Sequence, residues 1–513
     1  MRMGEIGEEA MAEPVRVSTV AVPDRKAGGV GLSANILVRL TPGDGSTSGH
    51  PLDLPSGVTT RELGAVLNSL LGEDSRPWAF YISEEEMDPA TTLADAITKF
   101  KLSTESMVEV VYKPQAVFRV RAVSRCTGTI AGHTASVLSV QFSPCGRHLA
   151  SGSGDNSVRL WDINTQTPEK TLLGHGNWIL CIAWSPDGRY LMSGSMDGEM
   201  RLWKADGEAV GGPIKAHKKW VNSLCWEPLH LAAPCTRVAS GGKDGVVKVW
   251  DAVGKRAVLS LTSHSGSVTC VRWGGSGRLF SSSQDRGIIV WNTKTGEVEA
   301  QLGGHAHWVN ALALSTDYAL RLGCHEAAPD PVMTGSKRAR GIAVDRMSAD
   351  EMQSAALAQY SAAAARGGER MASCSDDFTV MLWSTEGKMK SPIAKLTGHQ
   401  QPVNHVAFSP DGTLLASTSF DKSVRLWNGV TGKFIAALRD HVGAVYHARF
   451  SGDNTMVLSC SSDSTLKIWN IRTKKLIRDL VGHADEVFAV DWSSDGGVVA
   501  SGGRDKVLKL WQC

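Results

Sequence analysis

The chain has 513 residues, 21% of them charged, and a formal net charge of +2, a balance that fits a soluble protein and points to no particular partner. No apolar run reaches the roughly 18 residues needed to span a bilayer, and the acidic start Met1-Arg2-Met3-Gly4-Glu5-Ile6-Gly7-Glu8-Glu9 lacks the apolar stretch of a secretory signal, so an intracellular protein is expected. Ten cysteines without a Cys-x-x-Cys pair read as reduced thiols, with neither a disulfide framework nor a zinc site indicated.

Residues 1–32 are rich in Glu, Gly and Val without periodicity and read as a flexible tail. A small module is expected over 33–114. Ile36, Val38 and Leu40 alternate as a strand, a Gly/Ser-rich turn follows at 43–49, and Leu52 and Leu54 mark a second strand. Thr59 and Glu62 form a capping box for a helix whose apolar face is Leu63, Val66, Leu67, Leu70 and Leu71, with Gly72 at its C-terminal cap. Trp78 to Ile82 and Met107 to Tyr112 read as returning strands. This order resembles the β-grasp, or ubiquitin-like, fold. The module ends in Tyr112-Lys113-Pro114-Gln115 and has no diglycine, so conjugation is not expected.

Across 115–513 one unit repeats eight times. Trp161, Trp203, Trp250, Trp291, Trp383, Trp427, Trp469 and Trp511 each follow an aspartate by six residues and a serine by ten, and a histidine stands earlier in each unit. The commonest spacing between successive tryptophans is 42 residues, enough for four short strands. Nine residues after the histidines stand Phe142, Trp184, Trp226, Trp273, Leu314, Phe408, Phe450 and Trp492, all large and apolar and expected to pack between blades. The pattern resembles the WD-repeat β-propeller family, although Trp-Asp itself survives only at Trp161-Asp162 and Trp250-Asp251. The eighth unit stops after three strands, so the run Val117-Phe118-Arg119-Val120-Arg121-Ala122-Val123, with its two-residue alternation, is expected to pair beside the last strand and close the ring. The fold class is therefore mainly β, an eight-bladed propeller preceded by a small α+β module.

Serine, histidine and aspartate recurring together suggest a hydrolytic triad, but a triad is one constellation beside one oxyanion hole, and here there are eight. Each unit is instead expected to bury a polar chain that fixes strand register. In the first two units it runs Asp155-His133-Ser151-Trp161 and Asp197-His175-Ser193-Trp203.

The run Tyr112 to Val123, together with Trp226-Glu227-Pro228-Leu229-His230, Ala313-Leu314-Ser315-Thr316-Asp317-Tyr318-Ala319-Leu320-Arg321 and Gly482-His483-Ala484-Asp485-Glu486-Val487, resembles the Notchless family over about residues 34 to 513. That resemblance implies an assembly factor of the large ribosomal subunit, found in the nucleolus and nucleoplasm, whose propeller sits on the pre-ribosome (ribosomal proteins and rRNA). It also implies a ubiquitin-like module gripped by midasin, an AAA ATPase carrying a metal-ion-dependent adhesion (MIDAS) domain, which then pulls and remodels the particle. A MIDAS domain holds Mg²⁺ with an open position that a carboxylate from the partner fills. By that resemblance Glu105, seven residues before Tyr112, is the metal-reaching acid. Glu84, Glu85 and Glu86 form a competing acidic loop, and plain solvation is the third possibility. The chain is expected to carry no cofactor of its own and to bind neither membrane nor DNA.

Three residues after the unit histidines stand Trp178, Trp220 and Trp308, near the lip where each inner strand begins; they either anchor a partner or pack on the neighbouring blade. Lys218 and Lys219 add charge beside Trp220. The basic runs Lys337-Arg338-Ala339-Arg340 and Arg472-Thr473-Lys474-Lys475-Leu476-Ile477-Arg478 either meet RNA phosphates or are solvated surface. An insertion over about 322–370 enlarges the fifth unit. It carries a capping box at Ser348 and Glu351 and an Ala-rich helix from Ala349 to Arg366. The alternative function is a WD-repeat scaffold in Notch-type signalling or ubiquitin ligation. An enzyme is not expected, since no phosphate-binding loop, metal cluster or singular catalytic set stands outside the repeats.

Overall fold

A computed structural model of the chain describes residues 35–42, 51–71, 78–82, 85–87, 91–100, 107–114, 120, 122–163, 165–325, 347–365, 367–387 and 391–512. It divides into two compact units, Met1–Val117 and Phe118–Cys513.

In the first unit, strands β1 (Asn35–Pro42), β2 (Pro51–Pro55), β3 (Trp78–Ile82), β4 (Glu85–Glu86) and β5 (Val108–Pro114) form one sheet in the order β2-β1-β5-β3-β4. β5 is central, parallel to β1 and antiparallel to β3. Ile36, Val38 and Leu40 alternate onto the buried face, where they meet Leu63 and Leu67 of helix α1 (Thr60–Leu71). Glu62 accepts hydrogen bonds from the Thr59 N–H and hydroxyl, each at 2.9 Å, which starts α1 as the capping box requires. Leu70 and Leu71 are exposed, contrary to the sequence reading, so α1 buries a narrower stripe than its leucines suggest. A second helix, α2 (Leu93–Phe100), was not anticipated; Thr92 and Asp95 cap it, and Leu93, Ala96 and Ile97 join the same core.

The second unit is a closed ring of eight four-stranded antiparallel sheets. The inner strands are Val137–Phe142, Ile179–Trp184, Val221–Trp226, Val268–Trp273, Val309–Leu314, Val403–Phe408, Val445–Phe450 and Val487–Trp492, and each touches the next around the circle. Every one begins on a buried Val or Ile and ends on the large apolar residue of its unit, also buried. These end residues join neighbouring blades: Trp184 lies with Ala150 and Leu160 of blade 1, and the Trp226 indole N–H donates to Ala183 O at 2.9 Å.

The ring is closed by β6 (Arg125–Ala131), which pairs with Val507–Gln512 in the register Val507↔Ala131 to Gln512↔Arg125. The alternating run at Val117–Val123 does not supply this strand; of it only Val120, Ala122 and Val123 are described. Val123 is fully buried among the cores of blades 7 and 8, and the Val120 N–H donates to Asp453 at 2.7 Å. Outer strands expose most of their side chains and need little hydrophobicity, which is why Arg-Cys-Thr-Gly-Thr-Ile-Ala serves.

The fifth blade departs from the others between Leu314 and Arg370. Helix α3 (Asp317–Leu322) follows the inner strand directly. Helix α4 (Ala349–Ala364) starts at the Ser348–Glu351 capping box and ends two residues short of the expected Arg366. Its Met352 and Ala356 pack on Trp226, Leu229 and Cys235 of blade 3. Tyr360 stacks on His230 at 4.6 Å between ring centres. The insertion is thereby fastened to a blade two positions away.

Candidate partner-binding site

In seven of the eight blades the polar network has one geometry. An indole N–H can only donate, so the serine Oγ accepts from tryptophan, spends its own hydrogen on histidine Nε2, and leaves Nδ1 as the protonated nitrogen facing aspartate. In blade 1 these distances are Trp161–Ser151 2.8 Å, Ser151–His133 2.8 Å and His133–Asp155 2.8 Å. Burial holds His133, His217, His399 and His483 below the ordinary histidine range, consistent with neutral rings. Blade 2 departs from the pattern. Trp203–Ser193 (2.9 Å) and Ser193–His175 (2.7 Å) are made, but His175 Nδ1 has no partner, although Asp197 accepts the Gly176 N–H at 3.0 Å as its counterparts accept the N–H after their histidines. Burial then pushes His175 down to about 4.

The network also fixes one end of the ring. In every blade the residue just before the unit aspartate donates its N–H to the carbonyl three residues after the histidine, as in Met196 to Trp178 O at 2.8 Å and Asp376 to Trp308 O at 3.0 Å. Lip residue and hairpin turn are therefore neighbours. Trp178 is 51% exposed and Trp308 45%. Trp178 also lies against Gly154 of blade 1, and the Lys243 ammonium lies 3.5 Å from the ring centre of a half-buried Trp220. Lys218 and Lys219 are exposed beside it.

Sequence reasoning missed two lip residues. Phe378, 42% exposed, has φ +67°; the same turn position holds Asn156, Gly198, Gly245, Arg286, Lys422, Ser464 or Lys506 elsewhere, all at positive φ. An aromatic is a costly occupant of a left-handed turn, and strain of that kind is retained where it serves something. Phe420, exposed just before the unit aspartate of blade 6, meets Tyr446 edge-on at 6.0 Å; Tyr446 in turn lies 5.6 Å from Phe488. A chemical signal was available for Phe378: a bulky ring directly after the unit aspartate.

The remaining candidates lie elsewhere. The run 472–478 is mostly exposed and leads into the outer strand Lys475–Val481. Lys337–Arg340, Glu84 and Glu105 lie outside the described residues, while Glu85 and Glu86 form β4. Among the described residues no group of three or more His, Cys, Asp or Glu could hold a metal ion, and no helix is long and apolar enough to cross a membrane.

Eight blades, each with a histidine-serine-tryptophan network, define a WD-repeat β-propeller protein. The WD domain, G-beta repeat, matches residues 124–162, 166–204, 210–251, 255–292, 390–428, 432–470 and 474–512, passing over the enlarged fifth blade, and the NLE (NUC135) domain matches 36–97. The chain is 45% identical over 378 residues to Protein Notchless of Drosophila melanogaster, covering 73% of this chain and 75% of that one. It is 48% identical to the Notchless protein homolog of Arabidopsis thaliana over 402 residues, 78% and 81% of the two chains. Ribosome assembly protein 4 of Saccharomyces cerevisiae is 43% identical over 412 residues, 76% and 77%. The crystal structure of the computationally designed Ika8 protein superposes with a TM-score of 0.58 at 23% identity, over 76% of this chain and all of that one, a likeness of fold alone. This chain belongs to the Notchless family.

Proposed function

We propose that the chain is a non-catalytic assembly factor of the large ribosomal subunit, acting in the nucleolus and nucleoplasm. Its propeller docks on the pre-ribosomal particle, and its ubiquitin-like module is held by the MIDAS domain of a midasin AAA ATPase. The observation that carries this reading is 43% identity, over three quarters of both chains, with a relative named ribosome assembly protein 4. The aromatic lip supports the docking half, because Trp178, Trp308 and Phe378 expose large rings where a soluble chain gains nothing from them unless a partner covers them.

For the tether, Glu105 supplies a hard oxygen ligand to the Mg²⁺ of the partner. It stands three residues before β5 in sequence, and β5 is the central strand of the module. The full-length chain should bind an isolated midasin MIDAS domain in Mg²⁺ and lose binding both in EDTA and as Glu105→Ala. Binding indifferent to metal and to Glu105 would exclude the tether.

A further inference from the structure

The ring encloses a cavity of about 310 Å³. Its wall is written in the repeats: side chains alternate along a strand, so the residues six and eight after each unit histidine face inward. Most are small or neutral, but Arg272, His405, His447 and Arg449 bring four nitrogen-rich side chains to one side, with Asp491 beyond them. Helix α3 crosses the end opposite the lip and contributes Asp317 and Arg321.

The charges lining this cavity do not cancel. Arg272, Arg321 and Arg449 oppose Asp317 and Asp491, three positive against two negative, leaving +1. Asp491 is already engaged: Arg321 grips both its oxygens at 2.8 and 2.5 Å, and the Phe142 N–H donates to it at 2.8 Å. Arg449 Nε stands 3.6 Å from Asp491, beyond hydrogen-bond reach, and has no hydrogen-bond partner. Asp317 accepts the Leu314 N–H at 2.8 Å and lies 3.7 Å from Arg272 Nε. The His405 and His447 rings sit 3.8 Å apart with neither Nδ1 hydrogen-bonded. Burial, with the guanidiniums adding to it, holds both far below the ordinary histidine range. The unused capacity is thus guanidinium donors and two neutral imidazoles whose Nδ1 atoms have no hydrogen-bond partner, around a space of small-ligand size.

We propose that this cavity is an oxyanion site that takes one small free phosphate-type anion between Arg272, Arg449 and the His405–His447 pair. An uncompensated guanidinium in a walled cleft concentrates anions, and planar guanidinium forks match tetrahedral oxyanions bidentately. With α3 across one end and a volume of this size, a nucleic-acid strand cannot thread through, which favours a free anion over a phosphate on a polymer. This site is independent of the ribosomal reading.

The test uses the full-length chain and inorganic phosphate, with sulfate and acetate as separate arms, read by titration calorimetry and by melting midpoint. Wild type should give a one-site isotherm and a raised midpoint with phosphate, with acetate weaker. Arg449→Gln should lose at least about ten-fold in phosphate affinity, while Lys294→Gln, in an exposed turn outside every candidate site, binds as wild type. Should Arg449→Gln fail to fold, Arg272→Gln carries the same test. A wild type without an isotherm, or folded Arg449→Gln or Arg272→Gln proteins that bind as wild type, would overturn the proposal. Acetate binding as tightly as phosphate would reassign the site to carboxylates.

Discussion

Arg321, in the last turn of α3 on blade 5, closes both arms of its guanidinium on Asp491 of blade 8, at 2.8 and 2.5 Å, and also donates to Phe142 O of blade 1 at 3.3 Å. One side chain thereby braces three blades across the channel, and the Asp491 carboxylate it holds is fully buried. Removing one partner of such a pair strands a buried charge, at a typical cost of roughly 3 to 5 kcal/mol. Arg321→Gln should therefore lower unfolding free energy by about 3 kcal/mol in denaturant titration. A loss within about 0.5 kcal/mol, the range of an ordinary surface substitution, would show the brace to be idle.

The broken network in blade 2 predicts a ranking. His399 is bonded to both Ser417 and Asp421 at 2.8 Å, whereas His175 is bonded to Ser193 alone. With about 1 kcal/mol net for each hydrogen bond, His399→Ala should cost about 1 kcal/mol more than His175→Ala, and both should leave the fold assembled. Thermal melts of the two purified variants decide this; equal or inverted losses would contradict the geometry.

Stability should fall as the protein is acidified, in two stages. His175 titrates near 6.5 when unfolded and near 4 when folded, so the unfolded chain takes up its proton first as pH falls, and stability is lost across that window by roughly 3 kcal/mol. Asp377, Asp421 and Asp463 are held far below the usual 3.8, burial opposing and hydrogen bonds from histidine and hydroxyl groups prevailing. Their contribution is present above 3.8 and is lost as pH falls below it. Denaturant midpoints measured from pH 7 down to about pH 2 should decline continuously, and His175→Gln should flatten the upper part of that decline.

Phe378 predicts a trade between stability and binding. A non-glycine residue in the left-handed region costs on the order of 1 kcal/mol, and Asn tolerates that region best among side-chain-bearing residues. Phe378→Asn should raise the melting midpoint slightly while weakening attachment to the particle. A variant that is both less stable and fully bound would remove Phe378 from the docking surface.

Much of this was legible because a network repeated eight times leaves a fixed spacing, and because the residue nine after each histidine must fill the space between blades. Legibility ended where burial no longer imposes a period. β6 is an outer strand with Ile130 as its single buried side chain, so the more regular Val117–Val123 looked the better strand. α3 is only six residues long and buries Leu322 alone, too little for helical periodicity to show. The blade 2 gap between His175 and Asp197 could not be read, since both residues are present and only their orientation differs. In the first unit α2 was readable from Thr92, Asp95 and the Leu93, Ala96, Ile97 spacing, whereas the exposure of Leu70 and Leu71 depends on what α1 packs against.

The most direct test of the docking account is co-sedimentation of the full-length chain with large-subunit precursor particles from nuclear extract, comparing wild type with the Trp178→Ala/Trp308→Ala double variant. Wild type should travel with the precursor particles, and the double variant, with an unchanged melting midpoint, should remain at the top of the gradient. A wild-type chain that never enters the particle fractions, or a folded double variant that enters them equally, would contradict it.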